Sequence, residues 1–249
     1  MFAHGQLMKT KSQGSGVVGI LALWTLCILP VAAPAAQETN PDTLPMFGQP
    51  AITRPDDLKK ADEVFIKNAV AKHGNRTAAT FAALAQGWAS LRSGKSAMAL
   101  RHFNEGWLLS PDNPGVYWGF GAVLSGRGKL LEAIEQLETA RELMTNDAKQ
   151  LVQLLADIGA VRSAYGVRLP RERELERAQQ FSAANQRFSE SLELDPDYAP
   201  SWREWAISLY DQERYSEASI KASRALELKA ESFPADFLSK LKSKVAEPN

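Results

Sequence analysis

Small and large apolar residues recur along this chain at a fixed spacing. A glycine is followed by an alanine 12 residues on, a large apolar residue 4 later, a small residue 3 later and a helix stop 5 later. The copies are Gly87, Ala99, Phe103, Gly106 and Pro111; Gly121, Ala133, Leu137, Ala140 and Thr145; and, more loosely, Ala206, Ala218, Ala222, Ala225 and Ala230. This spacing is typical of stacked helix pairs, which build extended surfaces rather than active sites.

Each copy predicts a helix A of some 14 residues, a tight turn and a helix B. A third copy, between the second and the looser one, is longer by about 17 residues, which we place around Tyr165 to Ala178 as a loop followed by a lengthened helix B. The predicted repeats are residues 80–113, 114–147, 148–198 with the insertion, and 199–230.

Three stretches of the chain resemble the tetratricopeptide repeat (TPR) family. They are Gly87-Trp88-Ala89 to Pro111, Tyr117 to Thr145, and Trp202-x-x-Trp205-Ala206 with Arg214-Tyr215-x-x-Ala218. The resemblance implies an all-α fold, a right-handed superhelical solenoid of about four helix pairs with flanking helices.

The flanks of the repeats have their own patterns. Residues 37–55 are rich in proline without apolar periodicity, which predicts a flexible linker. Residues 56–74 predict an amphipathic N-terminal helix, and residues 231–249 predict a C-terminal capping helix and tail.

Residues 1–36 have the order of a secretory signal peptide. Lys9 and Lys11 precede an apolar run from Val17 to Leu29 and a small-residue stretch around Ala33-Pro34-Ala35. The run of about 13 residues is shorter than the roughly 20 needed to span a bilayer. We therefore expect an exported protein, periplasmic or secreted, with a membrane tether by an uncleaved segment as the alternative.

Charge and chemistry narrow the function. Loss of Lys9 and Lys11 leaves 27 basic residues against 29 acidic ones. The chain then has no excess of basic residues, so we do not expect a nucleic acid partner. Cys27, the single cysteine, would leave with the signal, and His73 and His102 lie on different predicted helices. We expect no cofactor, no metal site and no enzyme activity; an envelope hydrolase would need carboxylates that converge only in the folded chain.

In a helix-pair solenoid the A helices line the concave face, so their free side chains are candidate ligand contacts. Phe81, Leu84, Trp88 and Leu91 form one apolar stripe, and we expect the 56–74 helix to cover it, placing Phe65 against Trp88. Asn104 and Trp107 form a second candidate anchor pair. The candidate binding residues are Trp88, Leu91, Trp118, Ala122, Val152, Arg203, Ile207 and Tyr210.

The sequence thus predicts a non-catalytic adaptor or scaffold that binds a protein or peptide in the bacterial cell envelope. The alternative is a structural subunit that self-associates through Phe81, Trp88 and Leu91.

Overall fold

Helices make up the regular structure of the described chain. The structure is a computed structural model that describes residues 43–145 and 147–246. The predicted signal peptide therefore lies outside the described residues, as do residues 37–42 of the predicted linker. The α-helices within the described ranges are α1 Asp56–His73, α2 Arg76–Arg92, α3 Ser96–Leu109, α4 Pro114–Gly126, α5 Leu130–Leu143, α6 Ala148–Arg168, α7 Glu174–Leu194, α8 Ala199–Asp211, α9 Tyr215–Glu227 and α10 Phe237–Ala246.

Eight of these helices form four pairs, α2 with α3, α4 with α5, α6 with α7, and α8 with α9. Neighbouring pairs are joined because α3 packs on α4, α5 on α6 and α7 on α8. Each pair therefore contacts the next along the chain, and the prediction of an all-α helix-pair solenoid of about four repeats with flanking helices is confirmed.

Tight turns hold three of the pairs antiparallel. Gly94 and Gly128 adopt φ of +72° and +77° in the first two turns, a backbone conformation that glycine enters without steric cost. In the fourth pair Glu213 takes φ of +61° at the matching position.

The repeated small residue lets two helices approach closely. A Cβ on Gly87 would lie 2.5 Å from the Phe103 ring, and a Cβ on Gly121 would lie 2.5 Å from the Leu137 side chain. Phe103 and Leu137 are buried at these crossings. The glycine-to-large-residue spacing seen in the sequence is therefore the contact between helix A and helix B of one pair.

The third pair is longer, and its extra residues extend both helices. α6 and α7 have 21 residues each, and only Leu169, Pro170 and the 3₁₀ turn Arg171–Arg173 separate them. The expected loop is absent from this segment because Gly166 and Phe181 continue the same small-to-large packing, with a would-be Gly166 Cβ 3.2 Å from the Phe181 ring.

Residues 43–55 differ from the flexible linker that the sequence predicted. A 3₁₀ turn over Pro45–Gly48 packs on α3 and buries Phe47 to 9% exposure. The Arg54 guanidinium lies 3.7 Å from the centre of the Phe47 ring, and its Nη2 donates to Asp62 Oδ1 at 2.7 Å. Apolar and charged contacts thus hold a segment that composition alone marked as unstructured.

Asn104 also departs from its expected role as an anchor for a partner. Its side chain is fully buried, and its Nδ2 donates to the Leu44 carbonyl at 2.9 Å. Asn104 therefore fastens residues 43–55 to α3 and is closed to an external ligand.

The expected position of the 56–74 helix is wrong. α1 packs through Phe65, Ile66, Ala69 and Val70 on Ala79, Ala83 and Leu109 of α2 and α3. The small side chains of Ala79 and Ala83 admit α1 closely, so it lies there and not over Trp88. Phe81 stays 63% exposed.

The C-terminal end is covered by α10. Phe237 and Leu241 are buried against Ala206, Leu209 and Ala218. Across residues 43–145 and 147–246, no helix combines the length and apolar content that crossing a membrane requires.

Candidate functional site

Two tryptophans lie side by side on the surface formed by the first helix of each pair. Trp88 of α2 and Trp118 of α4 meet edge to face, with ring centroids 5.7 Å apart. Trp88 also contacts the buried ring of Phe103, at 5.4 Å. Both indoles are half-buried, so each is held by packing while part of its ring remains accessible.

Asp157 of α6 lies next to Trp118. The Trp118 indole N–H donates to Asp157 Oδ2 at 2.8 Å. The Asp157 side chain is exposed to solvent, although atoms of the neighbouring helices surround its base. This burial, together with the negative charge of Glu204, raises the pKa of Asp157 to about 6, although the Trp118 hydrogen bond opposes the shift.

Two further groups extend this surface, Glu204 on α8 and Tyr198 at the N-terminus of α8. Burial raises the pKa of Glu204, and Glu231 adds to the shift while Arg203 counteracts it. Burial also raises the pKa of Tyr198, and Asp157 and Glu231 add to it. α8 packs on α6, the helix that carries Asp157, so Glu204 and the N-cap residue Tyr198 lie in the same neighbourhood as Asp157.

We call Trp88, Trp118, Asp157, Tyr198 and Glu204 together the A-helix face. Glu231 borders it at the C-terminal end, where it follows α9 in the chain.

Arg203 is a basic group of this neighbourhood, and it is partly engaged by contacts of its own. Its Nε and Nη2 donate to the Ser232 carbonyl at 3.2 and 3.1 Å, and it pairs with Glu204. Its guanidinium also lies 5.9 Å from the Phe233 ring.

The structure places the eight predicted binding residues in three settings: on or beside the A-helix face, in the packed cluster around Phe103 and Phe120, or in structural contacts elsewhere. Trp88 and Trp118 lie on the A-helix face, Arg203 adjoins it, and Ala122 is half-buried on the same helix as Trp118. Leu91 packs into the cluster around Phe103 and Phe120. The binding role of these residues stays a prediction.

The remaining three candidates have structural contacts. Val152 is 5% exposed, and its carbonyl accepts a hydrogen bond from Ser191 Oγ at 2.9 Å, so its side chain lines no open surface. Ile207 and Tyr210 pack with the buried cluster under α10, where the Tyr210 and Phe237 rings lie 5.4 Å apart. The capping helix therefore covers the end of the face that the sequence predicted to be free.

Sequence reasoning missed Asp157, Tyr198 and Glu204. The available signal was Asp157 itself, a single carboxylate between Leu154-Leu155-Ala156 and Ile158-Gly159-Ala160 in an otherwise apolar stretch. A single acidic residue in an apolar stretch of a helix is ordinarily taken to face solvent, so the pattern alone does not mark Asp157 as a candidate site residue.

The titratable groups do not assemble into a metal site in the described part of the chain. Over residues 43–145 and 147–246, no three His, Cys, Asp or Glu side chains come together in a way that could hold a metal ion. The A-helix face combines aromatic rings with carboxylates, an arrangement suited to binding a ligand.

Comparison with solved structures identifies the class of fold. The crystal structure of the APC/C hetero-tetramer Cut9-Hcn1 matches with a TM-score of 0.53 and 16% identity over 75% of this chain and 36% of that chain. This chain thus corresponds to a little over a third of that protein's length. The helix-pair solenoid is the fold of TPR proteins.

Two other solved structures are similar at lower scores. MamA matches with a TM-score of 0.47 and 15% identity, over 78% of this chain and 88% of that chain. YrrB, described as a TPR protein with an unusual peptide-binding site, matches with a TM-score of 0.32 and 15% identity, over 72% of this chain and 97% of that chain. No family model and no curated protein sequence matches this chain.

Proposed function

We propose that this chain is a non-catalytic adaptor that binds a protein or an extended peptide through the A-helix face. The observation that carries the proposal is the pair Trp88 and Trp118, whose ring centroids lie 5.7 Å apart and which are both half-exposed, with Trp88 held against the buried Phe103 ring. Half-exposed aromatic rings on a rigid support lose little conformational entropy on binding and are the usual anchors of protein interfaces.

Photocrosslinking tests where the partner binds. A photoreactive phenylalanine derivative replaces either Ala122, half-buried on α4, or Met98, 49% exposed on α3. We expect crosslinked products from position 122 and none above background from position 98, in full-length protein produced in its native cell.

The Trp118→Leu variant tests whether the aromatic pair carries the binding. Crosslinking from position 122 should fall at least tenfold, because the variant removes an anchor ring. Trp202→Leu is the matched control, since Trp202 is also a half-buried tryptophan but its N–H donates to Pro196 and its ring faces Lys221 of α9. Equal crosslinking in both variants, or products from position 98 alone, would contradict the proposal.

Export to the cell envelope is a second part of the proposal. Its support is the basic, apolar and small-residue order of residues 1–36. Mass spectrometry of the protein from cell fractions checks it: the expected product is an envelope species whose first residue follows the Ala33-Pro34-Ala35 region, and a cytoplasmic species that begins at Met1 would count against export.

Self-association is the second candidate function, favoured by Phe81, which is 63% exposed on α2. Sedimentation velocity over a hundredfold concentration range separates the candidates. A species that stays monomeric throughout excludes the self-associating subunit.

A further inference from the structure

We infer that the partner presents a basic segment to the A-helix face, so that its lysine or arginine side chains reach Asp157 and Glu204. This inference rests on the proposed function, because it specifies the chemistry of a ligand for the same surface.

The first argument is an excess of negative charge that Arg203 compensates only in part. In the described part of the chain, no basic side chain lies within 4.0 Å of Asp157 or Glu231, and the one ion pair of Glu204 is with its neighbour Arg203. Arg203 is partly engaged by the Ser232 carbonyl. A partner cation would supply the missing charge beside the exposed Asp157 and the half-buried Glu204.

The second argument is the hydrogen bonding of the Asp157 carboxylate. Trp118 donates to Oδ2, while Oδ1 has no hydrogen-bond donor among residues 43–145 and 147–246 and the side chain is open to solvent. The hydrogen bond from Trp118 orients the carboxylate, leaving Oδ1 as an acceptor for an incoming ammonium or guanidinium group.

The third argument is the neighbouring aromatic surface. Trp88 and Trp118 present ring area beside the carboxylates, and the faces of indole rings attract cations. The chain already shows this contact elsewhere, where Lys221 Nζ lies 3.8 Å from the centre of the Trp205 ring. A lysine or arginine side chain can thus place its stem against a tryptophan and its charge against Asp157.

The same surface disfavours the opposite ligand. An acidic segment would meet the repulsion of Asp157, Glu204 and Glu231, and a neutral segment would cover these carboxylates without compensating their charge. The charge of the ligand, and not the shape alone, should therefore decide affinity.

Three synthetic peptides test the inference on the full-length protein. They are fluorescein-labelled, end-capped dodecapeptides of repeating Lys-Ala-Ser, Gln-Ala-Ser and Glu-Ala-Ser, and fluorescence anisotropy at 50 mM salt gives each Kd. We expect the lysine peptide to bind at least tenfold more tightly than the other two, and its Kd to rise with added salt.

Variants locate the charge preference. Asp157→Asn and Glu204→Gln should each weaken the lysine peptide about three- to tenfold and leave the glutamine peptide unchanged. Glu132→Gln, an exposed carboxylate on α5, is the matched control and should leave the lysine peptide within twofold. Asp157→Lys should reverse the order of the lysine and glutamate peptides.

Three results would overturn the inference, two of them concerning the charge preference. One is a glutamine or glutamate peptide that binds as tightly as the lysine peptide, and the other is lysine binding that both Asp157→Asn and Glu204→Gln leave intact. No binding of any peptide at 1 mM also rejects it. The proposed function is judged separately, since crosslinking from position 122 that requires Trp118 would show a ligand on this face whatever its charge.

Discussion

Two carboxylates in this chain, the half-buried Glu138 and the more exposed Asp157, differ in how their charge is balanced. Glu138 of α5, with a side chain 16% exposed, accepts hydrogen bonds from Arg141 at 2.6 Å and Arg162 at 2.8 Å, and Arg187 also contacts it at 3.3 Å. Asp157 has an indole N–H as its partner and no cation within ion-pair distance among the described residues.

The pKa values follow this difference. Burial would raise the pKa of Glu138, but the three arginines together lower it. Burial raises the pKa of Asp157 to about 6, and Glu204 adds to the increase. We conclude that Glu138 contributes to the structure by joining α5, α6 and α7, whereas ionisation of Asp157 disfavours the folded state.

The largest effect is expected at Glu138. Glu138→Gln leaves three guanidinium groups around a neutral amide, so we expect the free energy of unfolding to fall by about 2 to 3 kcal/mol at pH 7. Urea denaturation followed by circular dichroism measures the change.

The control and the pH dependence sharpen this test. Glu142→Gln changes an exposed carboxylate on the same helix and should stay within about 0.5 kcal/mol of the wild type. Because the folded pKa of Glu138 is below its ordinary value of 4.5, its contribution is present above that pH and is lost as the pH falls further. Equal losses in both variants would show that Glu138 is not a structural centre.

A smaller effect of the opposite sign is expected at Asp157. Its folded pKa of about 6 exceeds the ordinary 3.8, so the native state binds the proton more strongly and wild-type stability falls as the pH rises through this window. Asp157→Asn keeps an acceptor for the Trp118 N–H and removes the charge. We expect the variant to be more stable than the wild type by about 1 kcal/mol at pH 7.5. This is less than the free energy equivalent to the full pKa shift, because solvent screens the exposed side chain.

The gain in Asp157→Asn should shrink as the pH is lowered and vanish below 3.8, where both proteins carry a neutral group. Thermal unfolding at pH 7.5, 6, 5 and 4 measures it. A variant that is less stable than the wild type at pH 7.5 would show that the carboxylate is compensated after all.

The smallest effect is expected at Arg203, the cation beside the A-helix face. Arg203→Gln removes hydrogen bonds to the Ser232 carbonyl, so we expect a loss of about 0.5 to 1 kcal/mol in urea denaturation. The same change removes a positive charge beside the A-helix face and makes its net charge more negative, so the affinity for the lysine peptide should rise about twofold. An affinity that falls more than threefold would indicate that Arg203 contacts the ligand itself.

The repeat was predictable because its signal is local. The step of 16 residues from Gly87 to Phe103 recurs from Gly121 to Leu137, and each step spans one turn between two helices. The insertion was predicted in the third pair as a loop followed by a longer helix B; α7 is longer, but α6 is extended where the loop was expected. Whether extra residues make a loop or longer helices depends on packing partners, and here Gly166 and Phe181 provide them.

The positions of the flanking segments could not be derived in the same way. Composition marked residues 43–55 as a linker, yet buried Asn104 and the ring of Phe47 hold them on α3. α1 packs on Ala79 and Ala83 and leaves Trp88 uncovered, while α10 covers Tyr210. These docking choices depend on contacts between elements distant in sequence, which a pattern of apolar positions does not encode.

The sequence by itself determined the helix-pair repeat, the approximate number of pairs and the candidate tryptophans Trp88 and Trp118, because periodic spacing is a property of neighbouring residues. The tertiary structure alone decided which carboxylates have cations beside them. Glu138 contacts arginines from α5, α6 and α7, whereas Asp157 accepts a hydrogen bond from Trp118 of α4 and its pKa is raised further by the negative charge of Glu204 of α8. The sequence shows which residues carry a charge. Whether an opposite charge lies close enough to compensate it depends on distances that are fixed only when the helices pack.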